Sequence, residues 1–338
     1  MLDIKKNIKT VLGITPENIT SEILSSEVPL LLKGYGDAWP IVQASKQSNV
    51  QAVEYLKNID KGVAVNACYL SPKQAGRVFY NEDMSGFNFQ TKSKTLSVVL
   101  SELLSQSELE NPETIYVAST SVKQVLPDLV QQIMLSPLLT NTIYNLWLGN
   151  KTKVAAHFDF LQNLACCVVG KRRFTLFPPE QVKNLYCGPL DKAPGGQSIS
   201  MVDFDNPDLD KFPKFSDAVN SAVVAELDAG DAILLPSMWW HHVEGLDDVN
   251  VLLNHWWRNT PAYMGNPADA LNHAILSIRD LPKTQRNAWK HIFDHYVFEH
   301  DEDNFSHIEN HAKSILDSPL DEMKSRTLRA LLQNKLRR

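Results

Sequence analysis

The sequence predicts an antiparallel β sandwich or barrel with flanking helices, and three observations carry that prediction. Between about residues 143 and 257, short apolar runs alternate with turn signals at the spacing of a multi-stranded β domain. Upstream of about Pro127, helix-like and strand-like stretches are mixed, as expected of elements that flank a core sheet. From Asn266 onward the apolar residues fall at helical spacing instead. With 338 residues, 43% hydrophobic and 21% charged, the chain can bury a sizeable core and still carry an appended region.

The N-terminal zone predicts helices over Ile19 to Leu24, Asn49 to Lys57 and Leu96 to Leu104, where apolar residues recur every three or four positions. Strands are predicted over Val28 to Lys33, Gly62 to Leu70 and Thr114 to Ala118, which are short and apolar. In the central zone the strand-like runs are Ile143 to Leu148, Val154 to Phe160, Leu164 to Val169, Arg173 to Phe177, Val223 to Leu227, Ala232 to Leu235 and Val249 to Trp257. Gly170-Lys171, Pro178-Pro179, Gly188-Pro189, Gly195-Gly196 and Gly230-Asp231 supply the turns between them. The polar excursion from Asp191 to Ser216 is long for a loop without structure, which marks it as a candidate functional segment. In the last zone Asn266-Pro267 reads as an N-cap with proline at the first helical position. Helical stripes follow on Leu271, Ala274, Ile275 and Ile278, on Trp289, Ile292, Phe293, Tyr296 and Val297, on Ile308, Ala312, Ile315 and Leu316, and on Leu328, Leu331, Leu332 and Leu336.

Charge and composition narrow the partners. Lys+Arg total 33 against 39 Asp+Glu, a formal charge of -6, so there is no general basic surface to neutralise a phosphate backbone, and nucleic acid is not expected as a partner. The first ten residues are charged rather than apolar, and no stretch approaches the roughly 20 apolar residues of a bilayer span. Cys68, Cys166, Cys167 and Cys187 form no C-x-x-C pair and read as reduced core thiols, so the expected location is the cytoplasm.

The sharpest local feature is His157-Phe158-Asp159. Residues two apart on a strand project to one face, so one imidazole and one carboxylate can reach a single ion. Alone the triplet is weak. A second cluster strengthens it: Gly230-Asp231, the apolar run to Leu235, and then Trp239-Trp240-His241-His242-Val243 would bring a third ligand from another strand. Alternation sends His241 and His242 in opposite directions, and the spacing does not choose between them. Two histidines and a carboxylate suit both the facial triad of non-haem Fe(II) oxygenases and hydrolytic zinc.

Further motifs occur in order: Val28 to Gly34 with Trp39-Pro40, Gly76 to Tyr80 with Asp83 to Phe89, Ile115-Tyr116, Asn145 to Trp147, Gly170 to Pro179, and Asn254-His255-Trp256-Trp257. Together with the two histidine clusters, these resemble the cupin-like branch of the JmjC-type 2-oxoglutarate oxygenases, the group that contains the asparaginyl hydroxylase of hypoxia-inducible factor. The resemblance spans nearly all of residues 28 to 257. It implies a fold that is mainly β with α, with a double-stranded β-helix (jelly roll, cupin) core at about 114–257. A catalytic region at 1–265 would be followed by a C-terminal helical bundle at 266–338, through which relatives pair as homodimers.

The implied activity is Fe(II)- and 2-oxoglutarate-dependent dioxygenation, with 2-oxoglutarate and O2 as co-substrates and hydroxylation of an unidentified protein, peptide or small molecule. Carried over residue by residue, the pattern makes His157, Asp159 and His241 the metal ligands and catalytic centre. Asn163 would lie near the 2-oxo acid, the Tyr116 hydroxyl would reach its carboxylate, and Asn254 and Trp256 would line the inner end of the pocket, with His255 pointing away. Arg172 stands where many relatives place lysine against the distal carboxylate, which preserves the charge on a longer, planar fork. Val154 stands where relatives often place a threonine hydroxyl, with Thr152 expected two positions away on the same strand face. Both departures keep open a metal-binding cupin that does not use 2-oxoglutarate. A non-catalytic interaction module is the other reading.

Bland readings apply to the rest. Most of Trp147, Trp239, Trp240, Trp256 and Trp257 are expected in the core. The run of His291, His295, His300, His307 and His311 is assigned no site, since helices with charged faces carry solvated histidines.

Overall fold

The computed structural model describes residues 2, 4–133, 135–139 and 142–337. The chain divides into two units after Trp257, and each is described by itself.

The first unit holds fourteen strands: β1 (Lys9–Val11), β2 (Leu30–Leu32), β3 (Ala64–Leu70), β4 (Arg77–Val78), β5 (Gln90–Thr95), β6 (Thr114–Ser121), β7 (Ile143–Gly149), β8 (Lys153–His157), β9 (Gln162–Val169), β10 (Arg172–Phe177), β11 (Val223–Leu227), β12 (Ala232–Leu235), β13 (Trp240–Gly245) and β14 (Asn250–Trp257). Nine form one sheet in the order β1-β2-β12-β9-β14-β7-β6-β3-β5, and five form a second in the order β11-β10-β13-β8-β4. Alternation turns Ala165, Cys167, Ile233, Leu235 and Leu252 of the larger sheet inward. They meet Phe174, Leu176, Ala225, Leu227 and Val243 of the smaller one in a single buried cluster. This is the jelly-roll core of a cupin fold. The outer face of the larger sheet buries a second cluster against helices Pro40–Gln47, Asn49–Ile59 and Leu96–Gln106 through Ile41, Val42, Val53, Leu56, Leu100 and Leu103.

Several elements differ from the expected ones. The run at Val154 to Phe160 is strand only as far as His157, so Phe158 and Asp159 lie beyond β8. Strand β10 begins at Arg172, which is thereby drawn into the sheet rather than left in the hairpin. Strand β5 and the helix Pro40–Gln47 stand where no regular element was expected. The polar Gln90–Thr95 escapes a hydrophobic pattern because backbone pairing with β3 makes it a strand. Between Asp191 and Ser216 the chain is not an open loop, since Ile199, Val202 and Phe204 are buried and Cys187 bridges Ser200.

The second unit has helices Pro267–Ser277, Lys283–Phe293 and Glu322–Leu336. The Asn266 side chain accepts from the Ala268 amide ahead of Pro267, as an N-cap does. The stripe at Ile308 to Leu316 is not a helix but two short 3₁₀ turns, Asn310–Ala312 and Ser314–Leu316, because the Ser314 backbone enters the left-handed region at φ 53° and interrupts any helical run. Of the histidine run, His295 and His300 pack their rings against Phe305, which is 2% exposed. Residues 258–265 belong to this unit, although the expected boundary fell after Gly265. The Tyr263 carbonyl accepts from Arg329 at 2.8 Å.

Candidate metal centre and acid pocket

Strand β8 carries an irregularity that aims the first histidine. His157 pairs with His241 and Val154 with Val243, so three steps along β8 match two along β13. Strict alternation would separate Val154 and His157 onto opposite faces; the bulge at Ala155 and Ala156 turns both inward. Ala155 packs beside Tyr80 and Ile199, and Ala156 beside Phe177 and Trp240. Asp159 then reaches the same point from past the strand end, its carbonyl accepting from the Met238 amide at 2.9 Å. Met238 sits at φ 69° in the turn between β12 and β13, so the segments bearing Asp159 and His241 are tied directly together.

Ligand atoms of His157, Asp159 and His241 all lie within 4.8 Å of one another. His241 Nε2 is 3.7 Å from Asp159 Oδ2, and the two imidazole centroids are 4.3 Å apart. Each histidine directs Nδ1 at a backbone carbonyl two residues earlier, His157 to Ala155 at 2.9 Å and His241 to Trp239 at 3.0 Å. A carbonyl only accepts, so Nδ1 carries the proton in both rings and Nε2 presents its lone pair to the shared point. Burial, and then the neighbouring His157, pull the His241 imidazole down to about 4, which keeps it in the neutral, ligating form. His242 goes the other way. Its ring lies 4.5 Å from Phe204 on the outer face of the smaller sheet, among Leu2, Ile4 and Glu244.

Behind the triad the cavity runs between the sheets. The smaller sheet contributes Val154, Arg172, Phe174 and Val243, and the larger contributes Tyr116, Trp147, Asn163, Ala165, Leu235, Leu252, Asn254 and Trp256. All five residues expected to bind co-substrate, Tyr116, Asn163, Arg172, Asn254 and Trp256, therefore share this cavity with the triad. His255 stacks on Tyr144 at 4.2 Å on the opposite face of β14. Thr152 does not replace the missing hydroxyl. It lies before β8 in a tight turn, its amide donating to Asn150, and is absent from the cavity wall, where Val154 offers only methyl groups. Trp147, expected as core, lines the cavity, as do Phe174, Leu235, Val243 and Leu252. Period-two alternation from Asn254 and Arg172 identifies Leu252 and Phe174.

Arg172 is 2% exposed, yet among the described residues no carboxylate pairs with it. Among the described residues it makes a hydrogen bond from Nη2 to the Trp147 carbonyl at 3.2 Å, and its buried Nε has no partner there. Trp256 Nε1, in the same cavity, is likewise buried and unpartnered. Burial pulls the guanidinium pKa down and pushes the Tyr116 phenol up, so Tyr116 keeps its proton as a donor. The cavity thus combines one buried cation with unused N–H and O–H donors, the complement of an anionic, oxygen-rich ligand.

A profile described as the cupin-like domain matches residues 16–263, most of the chain. The chain belongs to the cupin-like family. Among its cupin-like relatives, Lysine-specific demethylase 8 of Danio rerio is 26% identical over 249 residues, covering 71% of this chain and 56% of that protein. Lysine-specific demethylase JMJ31 of Arabidopsis thaliana is 27% identical over 176 residues, 49% of this chain and 31% of that protein. tRNA wybutosine-synthesizing protein 5 of Gallus gallus is 29% identical over 146 residues, 39% of this chain and 43% of that protein. The cupin-like chain therefore spans 31% to 56% of the length of these curated relatives. Its JmjC relatives identify the family as one of the iron- and 2-oxoglutarate-dependent oxygenase type.

Proposed function

We propose that this cupin-like protein is an Fe(II)- and 2-oxoglutarate-dependent dioxygenase that hydroxylates a protein, peptide or small-molecule substrate. The observation that carries the reading is Arg172, a buried cation with no acidic partner among the described residues, in the same cavity as two histidines and a carboxylate. The triad alone would also suit hydrolytic zinc, and it is the buried cation behind it that favours a bound acid as co-substrate. His157, Asp159 and His241 would hold the ion from one side and leave its other positions free. With 2-oxoglutarate and O2, ferrous iron supplies an oxidative decarboxylation that yields succinate and CO2 and delivers a hydroxyl to a C–H bond.

This chain's own residues do the remaining work. Arg172 would pair with the distal carboxylate through its planar fork, and Tyr116 and Trp256 would donate to the acid's oxygens. Phe174, Leu235, Val243 and Leu252 keep water from the acid and raise the strength of those contacts. The same reading takes the protein to be cytoplasmic and homodimeric, the pairing being supported by the exposed Trp289, Ile292 and Tyr296 on one helix face.

Calorimetric titration of the anaerobic, metal-loaded protein with 2-oxoglutarate tests the proposal. Removing one partner of a buried charge pair typically costs ~2 to 5 kcal/mol, so Arg172→Ala should weaken binding at least tenfold, and Arg172→Lys should retain part of the affinity. Succinate formed in step with substrate oxidation completes the test. A metal-loaded protein that ignores 2-oxoglutarate would overturn the reading in favour of a metal-binding cupin.

A further inference from the structure

Three side chains on the inner face of the larger sheet form a directed chain of hydrogen bonds. Trp147 Nε1 donates to Asn254 Oδ1 at 2.9 Å, and Asn254 Nδ2 donates to Asn163 Oδ1 at 3.3 Å. The direction is dictated by chemistry. An indole N–H can only donate, so the Asn254 atom facing it must be oxygen. The remaining Asn254 group is then an NH2, which can only donate, so the Asn163 atom facing it must also be oxygen. Asn163 is left with its own NH2 and, among the described residues, no acceptor for it. That amide lines the cavity. Meanwhile the Trp147 carbonyl accepts from Arg172 Nη2 at 3.2 Å, so one residue touches both the cation and the amide chain. Asn163 is 6% exposed and Asn254 is 1% exposed, so bulk water cannot readily reverse either amide.

We propose that Trp147 is a positioning residue that sets the polarity of the pocket: its indole N–H locks Asn254 and, through it, turns the NH2 of Asn163 toward the acid. The inference rests on the 2-oxoglutarate reading and deepens it. Without the indole proton, both amides can rotate and present a carbonyl oxygen to a ligand that is itself all acceptors. The loss is then a donor exchanged for a repulsive lone pair, rather than a gap in packing. Arg172 would still provide charge but would lose its correctly poled neighbour.

Trp147→Phe keeps a ring against Tyr116 and Trp256 and removes the donor together with part of the indole's bulk, a loss that the double-variant comparison separates from the loss of the donor. Affinity for 2-oxoglutarate is read by calorimetry on the Mn(II)-loaded, non-turning-over full chain, with Mn(II) affinity measured separately. Trp147→Phe should bind Mn(II) as the unaltered chain does and 2-oxoglutarate roughly tenfold more weakly, the scale of a hydrogen bond to a charged group. In an Asn163→Ala background, where the end of the chain is gone, Trp147→Phe should cost little more, since interacting positions do not add. A merely structural tryptophan predicts additive losses in the two backgrounds. If Trp147→Phe does not fold, Asn254→Leu breaks the same chain at its middle and should show the same non-additivity with Asn163→Ala. Unchanged affinity in Trp147→Phe, or additive losses, would overturn the inference while leaving the 2-oxoglutarate reading intact. An unaltered chain that binds Mn(II) but no 2-oxoglutarate would overturn both.

Discussion

At the scale of single residues, adjacent side chains in this protein have opposite fates. His241 joins His157 and Asp159 inside the jelly roll, whereas His242 packs on Phe204 outside it. His241→Ala should therefore abolish tight Fe(II) binding and His242→Ala should leave it nearly unchanged, as a metal titration of each variant would read; the reverse order would displace His241 from the ligand set. His255 gives a second prediction. It is 2% exposed, with Nδ1 at 3.1 Å from the Thr142 hydroxyl, and burial, with Lys123 adding repulsion, pulls its pKa down to about 4. The unfolded chain, at the ordinary histidine value of 6.5, takes up the proton first on acidification. Stability contributed by neutral His255 is thus complete above pH 6.5 and falls as pH drops toward 4, by about 3 kcal/mol. His255→Phe keeps the stack on Tyr144 and should remove that share of the acid sensitivity in denaturant titrations at pH 7 and pH 4.5. An unaltered slope would mean that His255 is protonated in the folded state.

At the scale of elements, the bulge in β8 places His157. Deleting Ala155 would leave two steps along β8 opposite two along β13, a register in which plain alternation itself turns Val154 and His157 to one face, so metal affinity should stay within about tenfold of the unaltered chain's. Near-UV circular dichroism would verify that the sheet persists. Loss of metal binding in a folded deletion would show that the bulge does more than set which face His157 occupies. This element also marks how far the site is legible in sequence. His157, Asp159 and His241 stand out by residue type, and Arg172 by its place after Gly170. The strand-face argument that joins His157 to Asp159, however, fails in detail, since β8 stops at His157 and Asp159 arrives from a loop held by Met238. Nothing in Val154-Ala155-Ala156-His157 announces an extra residue, because a bulge is set by the partner strand's register rather than by local pattern. The role of Trp147 is invisible for a similar reason. Its neighbours Asn254 and Asn163 come from strands distant in sequence, and alternation alone says which face it lies on, not what its indole touches. Helical periodicity misled at Ile308 to Leu316, where apolar spacing persists through turns that the Ser314 backbone breaks.

At the scale of the whole molecule, Trp289, Ile292 and Tyr296 remain 41%, 42% and 48% exposed, with Phe293 between Trp289 and Phe298 on the same segment. Such a cluster left in water favours self-association about a two-fold axis. Light scattering should give a dimer mass at micromolar concentration, and Ile292→Glu with Phe293→Glu should give a folded, metal-binding monomer. A monomeric mass for the unaltered chain would refute the pairing. Within the first unit the two sheets divide the labour unequally. The triad and Arg172 come from the five-stranded sheet and its edge, while Tyr116, Trp147, Asn163, Asn254 and Trp256 all come from the nine-stranded one. A metal ion would fasten to the smaller slab and to the loop that leaves it at Asp159. A dicarboxylic acid gripped by Arg172 on one side and by Asn163 on the other would act as a dowel driven through both, an added pin beside the apolar packing and the hydrogen bond from Arg172 to Trp147 that already join the layers of the jelly roll.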